Sequence, residues 1–292
     1  MNTFIAPALL ANASTLGIHW IYDHIYLEQL AAKQDLLFLK QSKEHYDAAS
    51  SAYLTYEGHE LGGVTIQGQM LKWLYQAMNA NPDFSAMEYS KLLYQQFKPG
   101  GAHHGYIESY AKKHVLTILA KSVDVSVPAL PVNDDHLVGF LPYLVCKELG
   151  LDATKAWELT KVYSHDEDYY TYFLMFDELL RLLPSVGMHE AVKAAIAKGP
   201  KHFQTALQQA VAMEDPNAFI EAHSGRACAI KYSVPLIVHV LSHTHSYEEA
   251  IRYNARLGGA ISDRNMILGA LFAQVSEVPA LFQTKLASAL TL

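Results

Sequence analysis

Apolar residues recur at intervals of three and four positions along most of this chain, which is the spacing of an α-helix with one buried face. Clear examples occupy 152–164, 169–186, 201–213 and 280–290. Alternation with a period of two, which is typical of strands, is confined to SVDVSVPALPV at 122–132, and we interpret that segment as an extended connection. The pattern predicts an all-α fold of roughly a dozen helices.

Polar residues at the start of two periodic stretches predict where their helices begin. Ser85 stands three residues before Glu88, the spacing of a capping box, in which each side chain accepts a hydrogen bond from a free backbone N–H group. Ser246 precedes Glu249 at the same spacing. We therefore predict that one helix begins directly after Ser85 and another directly after Ser246.

A polar run, SDRN at 262–265, separates two glycines from a stretch of small and apolar residues near the C-terminus. Gly258 and Gly259 stand where the end of a helix favours glycine, because the backbone there often adopts a left-handed conformation. We expect Ser262 or Asp263 to cap the helix that follows. The glycines also allow another group to approach the backbone closely.

The domain organisation follows from length and composition. The 292 residues contain no low-complexity segment, no long linker and no repeat of fixed period, and 51% of them are hydrophobic. A single unit of this length buries roughly 75% of its unfolded surface, so its core needs no metal or disulfide to stabilise it. We predict one compact multi-helix domain over residues 1–292.

The charge and the cysteine content argue against several classes of partner and location. A net charge of −7 gives no basic footprint for a nucleic acid or an anionic membrane surface. No apolar run approaches the ~20 residues of a membrane-spanning helix. The N-terminus lacks the positive region of a signal peptide, and two cysteines in a chain this long favour a reducing compartment. We predict a cytoplasmic protein that binds neither nucleic acid nor membrane.

Five polar clusters interrupt the apolar background, at 11–23, 58–73, 98–110, 132–142 and 163–170. Taken singly, each favours a structural interpretation, such as aromatic packing, the start of a helix or a solvated turn. Two of them are rich in glycine, and glycine loops that open helices favour anions through their free N–H groups. Together the clusters suggest a pocket assembled from several helix termini.

In this order, the clusters resemble motifs of the ADP-ribosylglycohydrolase superfamily, and they are most similar to its J-crystallin-like branch. The resemblance extends from about residue 8 to residue 275. The motifs that carry it are HWIYD at 19–23, GGAHHGY at 100–106, NDDHLVGFLP at 133–142, YSH at 163–165, GRACAIKYSVPLIVHVL at 225–241 and GGAISDRNMILGALFAQ at 258–274.

The resemblance implies a single all-α ADP-ribosylglycohydrolase-like domain with a cleft that holds a pair of magnesium ions. Members of this superfamily hydrolyse the glycosidic bond between ADP-ribose and a protein side chain or a small adduct. Carboxylates hold the two ions, which orient the ribose hydroxyls and a water molecule. The expected partner is an ADP-ribose-like small molecule or an ADP-ribosylated protein.

The resemblance also implies roles for individual residues. It places Asp263 in the catalytic position and makes Thr65 and Asp263 the remaining metal contacts. The ligand-binding residues that it implies are Asn12, His19, Asp23, Gly100, Gly101, His103, Tyr106, Asp134, Asp135, His165, Gly258, Gly259, Ser262 and Arg264.

Several acidic residues of the superfamily are replaced in this chain. The closing motif has Ala260 and Ser262 where the superfamily has acids, and Asn12 replaces a third. The segment VTIQGQ at 64–69 keeps Thr65 but contains no carboxylate. Two adjacent dications need those negative charges. Three functions therefore stay open: a hydrolase with an altered metal site, an ADP-ribose-binding protein without turnover, and a structural protein of the crystallin type.

Overall fold

Helices account for the regular structure of residues 4–123 and 135–291, which are the residues that the computed structural model describes. The β contacts in this part of the chain are two isolated bridges, Ile21 with Ala52 and His136 with Ala229. The all-α prediction is confirmed. The described helices are α1 (Ile5–Ser14), α2 (His24–Ala31), α3 (Lys43–Ala48), α4 (Ile66–Ala80), α5 (Ala86–Phe97), α6 (Ser109–Val123), α7 (Leu141–Glu148), α8 (Ala153–Thr160), α9 (Asp168–Ala195), α10 (Gln204–Ala212), α11 (Pro216–His223), α12 (Ile230–His243), α13 (Tyr247–Leu257), α14 (Ile261–Phe272) and α15 (Ala280–Lys285).

Helices α1 and α14 form the centre of the core. Every residue of α14 is buried, and most residues of α1 are too, so both helices are surrounded by protein. Gly269 allows the two helices to approach closely, since a Cβ atom there would lie 2.6 Å from the Cβ of Ala11. In the described part of the chain, no helix is both long enough and apolar enough to cross a membrane.

The predicted helix starts are confirmed, with one difference in detail. Ser85 and Glu88 form the complete capping box at the start of α5. Ser246 accepts a hydrogen bond from the backbone N–H of Glu249 at the start of α13. The Glu249 carboxylate, however, accepts from the N–H of His245 rather than from that of Ser246. In this second capping box, the carboxylate therefore binds the N–H of the residue before the N-cap rather than the N–H of the N-cap itself.

The polar turn between α13 and α14 differs from the expectation. Gly258 ends α13 with a φ of 81°, as predicted for a helix C-terminus. Helix α14 begins at Ile261 after Ala260, and no side chain caps it. Ser262 and Asp263 instead lie within its first turn and are buried, because they take part in contacts with other helices. The prediction that one of them caps α14 was wrong.

Two further segments bear on the sequence predictions. The predicted extended connection at 122–132 begins within α6, and its residues from 124 onward lie outside the described part of the chain. The cluster at 163–170 joins the end of α8 to the start of α9, as expected for a junction between helices. Helix α9 continues across a kink at Gly187, where the backbone leaves the helical conformation.

Candidate functional site

Three helices meet in a buried polar cluster at the start of α14. Asn12 comes from α1, Thr65 directly precedes α4, and Asp263 lies in the first turn of α14; all three are fully buried. The Asn12 amide donates to Thr65 Oγ1 over 2.9 Å and to the carbonyl of Ser262 over 3.1 Å. Thr65 Oγ1 in turn donates to Asp263 Oδ1 over 2.8 Å. We call the group of Asn12, Thr65, Ser262, Asp263 and His19 the Asp263 network.

Thr65 has a second function, which explains why the chain folds locally in this way. Its hydroxyl accepts a hydrogen bond from the N–H of Gly68 and so caps α4. Its own backbone N–H donates to Asn12 Oδ1 over 2.8 Å. Because a buried backbone N–H must find an acceptor, Asn12 satisfies the start of α4 as well as the Thr65 side chain.

His19 is held in one tautomer. Its Nδ1 accepts a hydrogen bond from the backbone N–H of Ser262 over 3.1 Å, so the neutral ring carries its proton on Nε2. That nitrogen lies 3.6 Å from Asp263 Oδ2. Burial, followed by the nearby positive charge of Arg264, lowers the pKa of His19 to about 3. His19 is therefore neutral at physiological pH, and its Nε2, which has no hydrogen-bond partner among the described residues, lies near the Asp263 carboxyl.

Asp263 is a buried carboxyl with one satisfied oxygen. Its Oδ2 has no hydrogen-bond partner among the described residues. Burial raises the pKa of Asp263 to about 7, against the opposing effects of the Thr65 hydrogen bond and of the charges of Arg264 and His136. Burial thus favours the protonated carboxyl at pH values where an ordinary aspartate is ionised.

Arg264 points away from Asp263 and holds the glycine turn. Its guanidinium, which is fully buried, donates to the carbonyls of Gly258 and Arg226 and to Asn254 Oδ1. Burial lowers the pKa of Arg264 to about 10, so the group stays charged at neutral pH. These contacts fix Gly258 and Gly259 against the neighbouring segment. They give Arg264 a structural role, and the contact with a ligand that the resemblance implies for it stays a prediction.

Aromatic rings cover the network on one side. Trp20 stacks on His19 with 5.0 Å between ring centroids, and Tyr56 lies 6.0 Å from His19. Tyr106 packs edge-on against Trp20 and Tyr56, at 5.4 and 6.0 Å. Tyr56 is also tied to α4, because its hydroxyl accepts a hydrogen bond from the N–H of Ile66.

A cavity of about 240 Å³ lies next to these rings, and Val64 and Ile66, on either side of Thr65, line part of it. We call it the aromatic cavity. It is smaller than the ~300–1,000 Å³ typical of ligand pockets, so it suits one ring of a larger ligand. Its other walls include Tyr56, Gln69, Trp73, Gln96, His103 and Tyr106. The predicted ligand residues His103 and Tyr106 thus lie in this cavity.

Asp23 lies outside the Asp263 network. Its carboxylate caps α2 by accepting from the N–H of Tyr26, and it also accepts from the N–H and the hydroxyl of Ser50. These hydrogen bonds lower the pKa of Asp23 to about 2. Asp23 is a helix cap in this structure, and no described contact joins it to Asp263.

The other predicted ligand residues are also dispersed. Gly100 and Gly101 line a separate cavity beside the aromatic one. His165 is exposed at the junction of α8 and α9. The backbone carbonyl of Asp135 accepts from the N–H of Ile230, while Asp134 lies outside the described residues.

The sequence predictions did not include three buried polar residues next to the site, Asn254, Asn265 and Thr15. The Asn254 amide donates to the carbonyl of Ile261 and to Asn265 Oδ1, and the Asn265 amide donates to Thr15 Oγ1. Thr15 is also 3.2 Å from the hydroxyl of Ser262, so these residues extend the Asp263 network. The sequence did contain one indication that Asn254 is buried, because it stands three positions after Ile251 and so lies on the apolar face of α13.

Further titratable groups face Asp263 from neighbouring segments. The charge of Asp263 contributes to raising the pKa of Tyr22, of Tyr56 and of Cys228, although burial is the largest cause for each. Cys228 is hydrogen-bonded to His136, which opposes the effect of burial on its pKa. The Asp263 carboxyl thus lies at the centre of a group of proton donors and acceptors.

The described residues contain no candidate metal centre, and the sequence matches no known family or curated protein. No group of three or more His, Cys, Asp or Glu side chains within residues 4–123 and 135–291 is arranged to hold a metal ion. No protein-family model matches the sequence, and no curated protein matches it either. The functional interpretation therefore depends on the residues themselves and on their geometry.

Proposed function

We propose that this chain is an ADP-ribosylglycohydrolase-like cytoplasmic protein that binds an ADP-ribose-like ligand, free or attached to a protein, without a pair of magnesium ions. One observation carries the proposal. The two metal contacts that the resemblance implies, Thr65 and Asp263, are fully buried and hydrogen-bonded to each other, and Asn12, which replaces an acid, donates to Thr65 and to the carbonyl of Ser262.

The donor set does not fit two magnesium ions. Mg²⁺ prefers octahedral oxygen ligands with carboxylates among them, and here one carboxyl is present with a pKa of about 7. Asn12 Oδ1 accepts from a backbone N–H, and Asp263 Oδ1 accepts from Thr65. An ion would have to replace these hydrogen bonds. The network is therefore better suited to holding three helices together than to binding a dication.

The aromatic cavity supports the ligand class. Trp73 and Tyr106 offer ring faces and edges to a planar base, and Gln69 and Gln96 offer amide donors and acceptors beside them. His103 fixes the adjoining loop through the contact between its Nε2 and the carbonyl of Tyr106. A purine or a ribose would fill the cavity, with the rest of the nucleotide outside it.

Thermal unfolding with added ligand tests the proposal. ADP-ribose at a hundred times its dissociation constant should stabilise the protein by about 2.7 kcal/mol, which raises the melting temperature by about 5 °C. The same shift is expected with Mg²⁺ and with a chelator. Tyr106→Ala should abolish it, whereas Tyr232→Ala, a change at a partly exposed tyrosine outside the cavity, should leave it intact.

Two other outcomes would decide against the proposal. A shift that requires Mg²⁺ would indicate that the network opens to bind metal. No shift at millimolar ADP-ribose would favour the third function, a structural protein of the crystallin type.

Hydrolysis is the second candidate function, and the Asp263–His19 pair favours it. A carboxyl with a pKa of about 7 is suited to general acid–base catalysis, and the Nε2 of the neutral His19 lies 3.6 Å from it. Release of ADP-ribose from an ADP-ribosylated protein would support this candidate if Asp263→Asn abolished it. Activity that survives in Asp263→Asn would remove Asp263 from the mechanism.

A further inference from the structure

A second cavity, of about 490 Å³, shares His103 and His104 with the aromatic cavity as lining residues. It is bounded by the end of α5, the loop that follows and one face of α6. We call it the apolar cavity. Its walls include Phe97, Ile107, Ala111, Val115, Leu116 and Leu119.

The charged residues around this cavity are all cationic. Lys98 and Lys112 line it, and no Asp or Glu does. Within the described residues neither lysine forms an ion pair; the Lys98 ammonium lies 5.9 Å from the centre of the Tyr94 ring. An apolar wall beside unpaired ammonium groups suits a molecule that has an apolar body and an anionic end.

We propose that the apolar cavity binds a small amphipathic anion, with an aliphatic or aromatic body and a single carboxylate head. The body lies against Phe97, Val115 and Leu119, and the head lies at the exposed side near Lys112. The volume is within the range of sites for small molecules. This binding goes beyond the proposed function, because it requires neither Asp263 nor a nucleotide.

Titration calorimetry with hexanoate, octanoate and decanoate tests the apolar part of the site. Each buried CH₂ group should tighten binding about fourfold, the equivalent of about 0.8 kcal/mol. Binding should therefore strengthen steadily along the series. Equal affinity for the three acids, or no heat with decanoate at either of two well-separated temperatures, would overturn the proposal.

A pair of neighbouring lysines tests the anionic end. Lys112→Gln should weaken decanoate binding about two- to fivefold, as expected for the loss of an exposed ion pair, and should leave decanol binding unchanged. Lys113→Gln is the matched control, since Lys113 is also exposed on α6 but does not line the cavity. Equal weakening by both variants would show that the protein's overall charge, and not this site, attracts the anion.

A second matched pair locates the site. Leu116 is 57% exposed at the edge of the cavity, so the fold should tolerate Leu116→Glu, and the new charge should weaken decanoate binding about tenfold. Leu174→Glu adds the same charge at a leucine on α9 that is 42% exposed and does not line the cavity. Unchanged binding in Leu116→Glu would place the ligand elsewhere and refute the proposal.

Discussion

Asp263 should make the protein less stable as the pH rises, which is opposite to the effect of an acid whose pKa is lowered by folding, and Asp263→Asn should remove this dependence. Between about pH 4 and pH 7 the folded protein keeps a proton on Asp263 that the unfolded chain has released, because burial raises its pKa from 3.8 to about 7. The folded state binds more protons in this window. The free energy of unfolding that depends on Asp263 therefore falls as the pH rises through it.

The size of the effect follows from the pKa difference. A rise from 3.8 to about 7 makes the ionised carboxylate destabilising by about 4 kcal/mol at pH 8, and about 3 kcal/mol of this develops between pH 5 and pH 8. Asparagine cannot ionise, and its carbonyl can still accept from Thr65. The difference in the free energy of unfolding between Asp263→Asn and the original protein should therefore be about 3 kcal/mol more favourable to the variant at pH 8 than at pH 5.

His19 acts in the opposite direction and makes the comparison of variants necessary. Burial lowers its pKa from 6.5 to about 3, so the unfolded chain binds more protons there between those values. The free energy of unfolding that depends on His19 rises with pH over this window. The contributions of Asp263 and His19 nearly cancel between about pH 4 and pH 6.5, so the effect of Asp263 is measured as the difference between Asp263→Asn and the original protein.

Urea unfolding at pH 5 and pH 8 measures the effect. Tryptophan fluorescence and far-UV circular dichroism both monitor the unfolding, and the two transitions should coincide. Asp23→Asn is the control: hydrogen bonds lower the pKa of Asp23 to about 2, so it stays ionised at both pH values. Its effect on stability should be the same at pH 5 and pH 8. An Asp263→Asn effect that is equally independent of pH would refute the reasoning.

Substitutions at three other positions test the packing of the site by urea unfolding at pH 7. Thr65→Ala should cost about 2–4 kcal/mol, because α4 loses its cap and Asp263 loses its donor, while Thr65→Ser should cost much less. Arg264→Met should cost about 3 kcal/mol, since two buried carbonyls and an amide oxygen lose their donor. Gly259→Ala should cost more than about 3 kcal/mol, because φ is 76° and a Cβ atom would collide with the carbonyl of Arg226.

The sequence predicted the fold class because helical periodicity is a local property. The cap at Ser85 and the helix end at Gly258 depend on a few adjacent residues, and the structure confirms both. The capping prediction for Ser262 and Asp263 failed because their environment is set by distant segments. Asp263 meets Thr65 across 198 positions of sequence, and no local pattern records that contact.

Residues of the candidate site could be predicted from the sequence only where they belong to a motif of the superfamily that the chain resembles. The resemblance pointed to Asn12, Thr65, Ser262 and Asp263, and the structure brings these four together. It did not indicate that their oxygens bind one another, since hydrogen-bond direction depends on side-chain placement. Tyr56 was missed altogether, because a tyrosine outside any motif gives no sign of the partners that it meets in the fold.

The Asp263 network stabilises the junction of α1, α4 and α14 but carries an energetic cost. Buried polar groups can often be replaced by apolar ones with no loss of stability, so their presence needs another reason. Asn12 supplies one, because its amide satisfies both the N–H of Thr65 and the carbonyl of Ser262 and so fixes the positions of three helices. Asp263 Oδ2, by contrast, accepts no hydrogen bond from the described residues, and ionisation of this buried carboxyl near neutral pH lowers the stability of the fold. Packing therefore explains Asn12 and Thr65 but not the acid, and Asp263 is the residue of the network whose presence argues most strongly for a function beyond the fold.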